Sequence, residues 1–159
     1  MPERSIRPME ARDLPRVSEM ERLCFATPWS KDAMEYEITQ NGLARYLVLE
    51  EGGLVCAYAG AWLVFEEGHI TNVAVHPDFR RRGHARAVLS ALMRLALGEG
   101  AEFMDLEVRV SNGAAIALYQ GLGFKKAGLR KGYYEDNGED AIVMVNDRLG
   151  RALGSAPAP

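Results

Sequence analysis

The sequence predicts a mixed α/β layer protein of one domain, with a central sheet that is mostly antiparallel. Three observations lead there. β-branched, strand-like runs alternate with helix-spaced apolar runs in the order β α α β β β α β α β β. Short glycine turns, Glu51-Gly52-Gly53 and Glu66-Glu67-Gly68, join neighbouring strands in the first half, which makes that half antiparallel. The chain has 159 residues, 48% of them hydrophobic, which suits one sizeable core and argues against disorder.

Ser5-Ile6-Arg7-Pro8 reads as a short first strand. Asp13 is placed to cap a helix carrying Leu14, Val17, Met20 and Leu23, and Pro15 is tolerated in its first turn. Pro28-Trp29 breaks that pattern, and Ser30 caps a second helix through Ile38. Tyr46–Leu49 and Leu54–Val64 form a hairpin, and Ile70–Val75 follows. Ala85, Val88, Leu89, Leu92, Leu95 and Ala96 have helical spacing, and that helix stops at Gly98-Glu99-Gly100. Phe103–Val108 is the next strand. Asn112 caps a helix through Leu122, with Gly121 and Gly123 at its end. Phe124 opens another strand, Gly132–Gly138 is a loop, and Ala141–Val145 is the last strand. The domain spans residues 4–147. Residues 148–159 read as a flexible tail rich in Ala, Pro and Gly.

Composition excludes several classes. The net charge of −3 provides no basic field for nucleic acid or an anionic membrane. No apolar run approaches the roughly 20 residues of a membrane span, and the N-terminus lacks the apolar core of a signal peptide. Cys24 and Cys56 are too few for a disulfide framework and form no Cys-x-x-Cys pair, which fits two buried thiols in a reducing compartment. The expectation is a soluble cytoplasmic protein, as a monomer. His69 and His76 have no companion at metal-ligand spacing, so no metal is expected.

The most informative stretch is Arg80-Arg81-Arg82-Gly83-His84-Ala85, between a strand and a helix. A basic, glycine-containing loop that opens a helix is suited to an anion, because the first helical N–H groups have no internal partner and the dipole is positive there. Three arginines in a row also fit a solvated surface. The flanks add weight: Arg-x-x-Gly-x-Ala, after a strand ending in Val75-His76-Pro77, resembles the acetyl-coenzyme A loop of the GNAT superfamily of N-acetyltransferases. A second stretch makes the resemblance close. Leu106-Glu107-Val108-Arg109-Val110-Ser111-Asn112, Ala117-Leu118-Tyr119, Leu122-Gly123-Phe124, Tyr133-Tyr134 and Glu139-Asp140-Ala141 together are similar to the bacterial RimI group of that superfamily. That group acetylates the N-terminal alanine of a small-subunit ribosomal protein. The resemblance covers about residues 4 to 147. Ala85 in place of a second loop glycine and Gly113 after Asn112 are its departures.

The resemblance implies the GNAT fold, acetyl-coenzyme A as co-substrate, and roles for particular residues. Glu107 faces away from Leu106 and Val108 by strand alternation. By itself that fits an exposed carboxylate on a half-solvated sheet better than a catalytic group; the resemblance implies the general base. Tyr119 is by itself a core or rim tyrosine; the resemblance implies a general acid, and a phenol with pKa about 10 is protonated at neutral pH. Asn112 is an N-cap, and the resemblance adds a contact to the coenzyme A arm. Val73, Ala74 and Val75 are core strand residues for which it implies backbone pairing with pantetheine and N–H groups facing the thioester oxygen. The pyrophosphate would rest on N–H groups of Arg81, Arg82, Gly83, His84, Ala85 and Arg86, with the His84 side chain facing solvent. Pro28, Trp29, Tyr133 and Tyr134 would hold the peptide, although ordinary rim aromatics explain three of them. Glu135, Asp136, Glu139 and Asp140 are either a solvated acidic run or an attraction for a basic ribosomal-protein N-terminus.

Direct amine attack on the thioester is expected, because Cys24 and Cys56 lie in segments remote from the expected site. An N-terminal amine suits one modest base: with pKa about 8 it is roughly a tenth neutral at pH 7, against about 0.04% for a lysine. The alternatives are a small-molecule amine acetyltransferase on the same fold and an acyl-coenzyme A sensor.

Overall fold

The computed structural model describes residues 3–152. The secondary structure follows the predicted order. β1 is Arg4–Pro8, α1 Leu14–Cys24, α2 Lys31–Thr39, β2 Ala44–Glu51, β3 Leu54–Val64 and β4 Glu67–Val75. Then come α3 His84–Gly98, β5 Phe103–Arg109, α4 Gly113–Gly121, β6 Lys125–Arg130, β7 Ala141–Asn146 and a last helical turn, α5, Leu149–Ala152. The seven strands take the order β1-β2-β3-β4-β5-β7-β6. Pairing is antiparallel for β1/β2, β2/β3, β5/β7 and β6/β7, and parallel for β4/β5. This is the expected mixed, mostly antiparallel sheet. No helix among the described residues is long and apolar enough to cross a membrane.

Two compact units emerge, Met1–Trp62 with Thr71–Leu92, and Leu63–Ile70 with Met93–Pro159. The first has a core of Met9, Leu14, Val17, Met20, Met34, Tyr46, Val48, Val55, Tyr58 and Ala74, with Trp29 packed against it. Fully burying a side chain such as Val17 or Met20 contributes about 1.5–3 kcal/mol. This core also encloses a polar network. The Tyr58 hydroxyl donates to Glu21, and Glu21 Oε1 accepts from the Trp29 backbone N–H at 2.8 Å. The Tyr46 hydroxyl donates to Asn72 Oδ1 at 2.9 Å and meets Thr71 Oγ1 at 2.9 Å. Buried carboxylates are tolerated when donors satisfy them, and Glu21 and Glu37 are both met this way.

In the second unit, Met104, Leu106, Val108, Tyr119, Leu122, Phe124, Ala141 and Met144 are buried. Along β5 burial alternates, with Leu106 and Val108 buried and Asp105, Glu107 and Arg109 on the other face. That is the period-two pattern predicted for Glu107.

Two helix starts were legible. Ser30 Oγ accepts from the Ala33 N–H at 3.0 Å, and Asn112 Oδ1 from the Ala115 N–H at 3.1 Å. Asp13 holds the expected N-cap position of α1, but it also ends a short 3-10 turn, Ala11–Asp13, and its side chain makes no capping bond to the helix. Its carboxylate is taken by the Glu10 N–H at 2.7 Å and by two nitrogens of Arg7 at 2.8 Å each. Phe124 precedes its strand and is buried rather than opening it. Within the tail expected from residue 148, Leu149–Ala152 instead form the helical turn α5, with Leu149 1% exposed. Residues 153–159 of that expected tail lie outside the described residues.

Candidate active site

The basic loop belongs to the first unit. β4 ends at Val75, a short 3-10 turn spans Pro77–Phe79, and α3 starts at His84. Arg81 and Gly83 both take left-handed φ values, 65° and 77°. The Ala87 N–H bonds the Gly83 carbonyl at 3.1 Å, so α3 is engaged from its first turn. That leaves the N–H groups of His84, Ala85 and Arg86 without an intrahelical acceptor. Nothing lies within 4 Å of the point where a Gly83 side chain would begin. A phosphate-sized anion therefore meets N–H donors, open space and a positive helix end.

Gly83→Ala isolates the backbone term, because the added methyl meets no neighbour. A left-handed φ costs a non-glycine residue about 1–2 kcal/mol. The melting temperature is expected to fall by about 2–8 °C, read by calorimetry. An unchanged melt would show that the loop relaxes out of this conformation.

The arginines are not equivalent. Arg82 pairs with Glu51 and stacks over Phe79 at 5.1 Å, and Arg80 Nε donates to the Val75 carbonyl at 3.3 Å. Arg81 and Arg86 are exposed and form no ion pair among the described residues. His84 is the correction here. It was expected to face solvent but is 2% exposed. Its Nδ1 is 3.4 Å from an Arg4 nitrogen, and its Nε2 is 2.9 Å from Glu51 Oε2, close enough for an ion pair but not aligned as a hydrogen bond. Helix residues point back toward the preceding turn, so the first residue of α3 turns inward.

In β4, Val73 and Val75 are half-buried and Ala74 is buried. The Val75 carbonyl accepts from Cys24 Sγ at 3.4 Å. Cys24 is thus adjacent to a candidate cofactor strand and not remote from it, which corrects the sequence expectation. Burial pushes its thiol up from the ordinary range against the opposing pull of Arg80, so it is a poor nucleophile. Cys56 is likewise pushed up, to about 11, by burial. Both thiols are free. In the loop before α2, Pro28 is exposed and Trp29 half-buried.

The titratable cluster lies in the second unit. The Glu107 side chain is 13% exposed, with Arg130 Nε 3.4 Å from Oε2 and His69 Nε2 3.4 Å from Oε1. Burial, then the nearby Glu107, pushes the Tyr133 phenol up. Tyr119 is 9% exposed, its ring edge-on to Phe124 at 6.0 Å. Burial, with Tyr134 second, pushes its phenol up to about 12, so it keeps its proton at neutral pH. In the sequence His69 has no companion at metal-ligand spacing. Its companions are carboxylates 36 and 38 positions away (Asp105 and Glu107), which no local pattern reveals. Among the described residues no three of His, Cys, Asp and Glu are placed to hold a metal ion.

The acidic loop resolves differently from either expectation. Arg109 occupies it. Its guanidinium reaches Asp136 at 3.0 Å and 3.1 Å and Glu139 at 3.2 Å, and lies 3.9 Å over the Tyr134 ring. Glu139 also accepts from the Ser111 N–H at 2.8 Å, and Asp140 from the Gly132 N–H at 2.8 Å. Three of the four acids therefore fasten the loop that carries Tyr133 and Tyr134. Their rings meet edge-on at 5.0 Å, and burial pushes the Tyr134 phenol up to about 12. Arg109→Ala is expected to speed amide exchange at Tyr134 and Gly138 about ten-fold. The basis is the loss of about 1–2 kcal/mol of charge-assisted hydrogen bonding and ring contact. Unchanged protection would assign the loop's order to its backbone alone.

The acetyltransferase (GNAT) family model matches residues 14–124. The ribosomal protein bS18-alanine N-acetyltransferase of Escherichia coli (strain K12) is 40% identical over 145 residues, covering 89% of this chain and 95% of its own length. The crystal structure of the ribosomal-protein-S18-alanine N-acetyltransferase from Escherichia coli superposes with a TM-score of 0.83 at 37% identity, covering 90% of this chain and 92% of that one. The structure of yncA from Salmonella typhimurium with its cofactor acetyl-CoA matches at TM-score 0.77 and 26% identity, covering 98% and 97%.

Proposed function

The chain belongs to the acetyltransferase (GNAT) family, and on that premise we propose that it transfers acetyl from acetyl-coenzyme A to the N-terminal alanine of a small-subunit ribosomal protein. The observation that carries the substrate is the 40% identity to a ribosomal-protein alanine acetyltransferase over 89% of the chain. The geometry is consistent with the donor: the start of α3 offers N–H groups, a left-handed glycine with open space and the exposed Arg81 and Arg86. Asn112 and the backbone of Val73, Ala74 and Val75 complete the proposed cofactor contacts.

In this reading the neutral α-amine attacks the thioester carbonyl directly. Glu107 accepts the proton the nitrogen sheds. N–H groups of the Val73–Val75 strand stabilise the oxyanion. Collapse expels the coenzyme A thiolate, and Tyr119, kept protonated by burial, returns a proton to sulfur. Pro28, Trp29, Tyr133 and Tyr134 hold the first residues of the peptide. With Arg109 neutralising much of the acidic loop, recognition of a basic peptide rests on fewer free carboxylates than the sequence implies.

The test is acetyl transfer from labelled acetyl-coenzyme A to two basic peptides. One has a free N-terminal alanine; the other is N-terminally blocked and carries an internal lysine. Labelling of the free-alanine peptide alone supports the proposal. Labelling of neither, with acetyl-coenzyme A binding intact, overturns it in favour of a small amine substrate or a sensor.

A further inference from the structure

His69 and Asp105 are the last residue pair of the parallel β4/β5 ladder. Their side chains meet beside it, Nδ1 2.6 Å from Oδ1. The other ring nitrogen of His69, Nε2, points to Glu107 Oε1 at 3.4 Å. Asp105 and Glu107 are two positions apart on β5 and share a face, so one imidazole spans both carboxylates.

We propose that His69, oriented by Asp105, is the outlet through which the proton collected by Glu107 leaves the active site. This rests on the reading of Glu107 as the base.

The chemistry fixes the direction of transfer. An ionised carboxylate only accepts, so Asp105 places the ring hydrogen on Nδ1 and leaves a lone pair on Nε2. While Glu107 is ionised it too is an acceptor, and two acceptors do not bond, in keeping with the 3.4 Å gap. Once Glu107 has taken a proton from the attacking amine, its O–H donates to Nε2. The proton crosses, Glu107 returns to carboxylate, and the ring becomes an imidazolium beside Asp105. The imidazolium then gives its Nε2 proton to water, and the neutral ring is restored. His69 and Asp105 side chains are 35% and 37% exposed, against 13% for Glu107, so the path runs from the more buried carboxylate toward solvent.

Charged groups facing the ring include Asp105 and Glu107 from β5 and Arg130 from β6, and the Tyr133 phenol lies against Glu107. On β7 the register partners of Asp105 and Glu107 are Val145 and Val143, which do not titrate. The hydrogen bond to Asp105 holds the imidazole above its ordinary range, against burial and Arg130, with Glu107 adding to the rise. Only the neutral ring accepts, so kcat rises with pH through the His69 titration. Removing the Asp105 charge lowers that titration, so Asp105→Asn moves the acidic limb to lower pH.

The experiment compares wild type with His69→Gln, His69→Ala, Asp105→Asn and Glu107→Gln. It reads kcat and peptide KM from pH 5.5 to 9 (about the range over which a shifted imidazole titrates), with acetyl-coenzyme A binding and melting checked for each. The His69 variants are expected to lose about ten- to a hundred-fold in kcat, less than the loss of the base itself. Their peptide KM should be nearly unchanged and the acidic limb gone. Added imidazole should restore part of the kcat of His69→Ala and none of that of Glu107→Gln. Wild-type kcat and pH profile in folded His69→Ala, with Glu107→Gln inactive, overturns the outlet and leaves the base in place. An active Glu107→Gln overturns the base reading, and the outlet with it.

Discussion

Glu107→Gln is expected to lower kcat about 10²- to 10⁴-fold, the contribution of a positioned general base. The amide keeps the shape of the carboxylate and still accepts a hydrogen bond, while the change removes its charge and its basicity together. The surroundings make it a clean experiment. Arg130 and His69 each approach a different oxygen at 3.4 Å, distances at which neither depends on a short bond to Glu107. Acetyl-coenzyme A binding should therefore be unaffected, and stability should change by no more than about 1 kcal/mol. The measurement is turnover at saturating acetyl-coenzyme A and alanine peptide, beside calorimetric titration of the coenzyme. Unchanged turnover would remove Glu107 from the mechanism. Lost turnover together with lost coenzyme binding would point to misfolding, and the melting curve would reveal it.

Gly60→Ala is the second large effect, and it acts on the fold. Gly60 pairs with Tyr46 across the β2/β3 ladder. A methyl at Gly60 would begin 2.1 Å from Tyr46 Cε2 and 2.4 Å from Cδ2 and Cζ. The ring cannot swing aside cheaply. Tyr46 is 6% exposed, and its hydroxyl is held by Thr71 and Asn72 at 2.9 Å and by Glu37 at 3.3 Å. Burial pushes this phenol far above its ordinary value, so it stays a donor throughout the working pH range. Overpacking costs about 1–3 kcal/mol, and moving the ring leaves buried polar groups unpaired at about 1–3 kcal/mol more. Together these give about 2–6 kcal/mol, a drop of roughly 4–24 °C in melting temperature for a chain of this size. A loss of under about 1 kcal/mol would show that β2 and β3 separate locally to admit the methyl. Because Asn72 directly precedes Val73, Gly60→Ala should also weaken acetyl-coenzyme A binding, an effect that Glu107→Gln lacks.

Much of the candidate site was readable because its signals are local. Arg80-Arg81-Arg82-Gly83 between a strand and a helix describes a helix start whatever surrounds it, and the left-handed φ of Gly83 agrees. The Ser30 and Asn112 caps each bond an N–H three residues on. Leu106 and Val108 against Glu107 is alternation within one strand. The burial of His84 is not legible locally, because the direction of a side chain at a helix start depends on which neighbour receives it, here Arg4 and Glu51. The cation that enters the acidic loop, Arg109, lies 27 to 30 positions earlier in the chain, beyond the reach of any local pattern.

By itself the sequence determined the order of elements, the helix starts at Lys31 and Gly113, the helix-start loop suited to an anion and the face of β5 that carries Glu107. Each of these is encoded by backbone hydrogen bonding and side-chain periodicity over a few residues. The tertiary structure alone decided that Asp105 and Glu107 share His69, that Arg109 occupies the acidic loop, that Cys24 lies against Val75 and that Tyr46 needs a glycine opposite it. Those contacts depend on which strands become neighbours and in what register. A slip of one residue would turn every side chain of a strand to its opposite face.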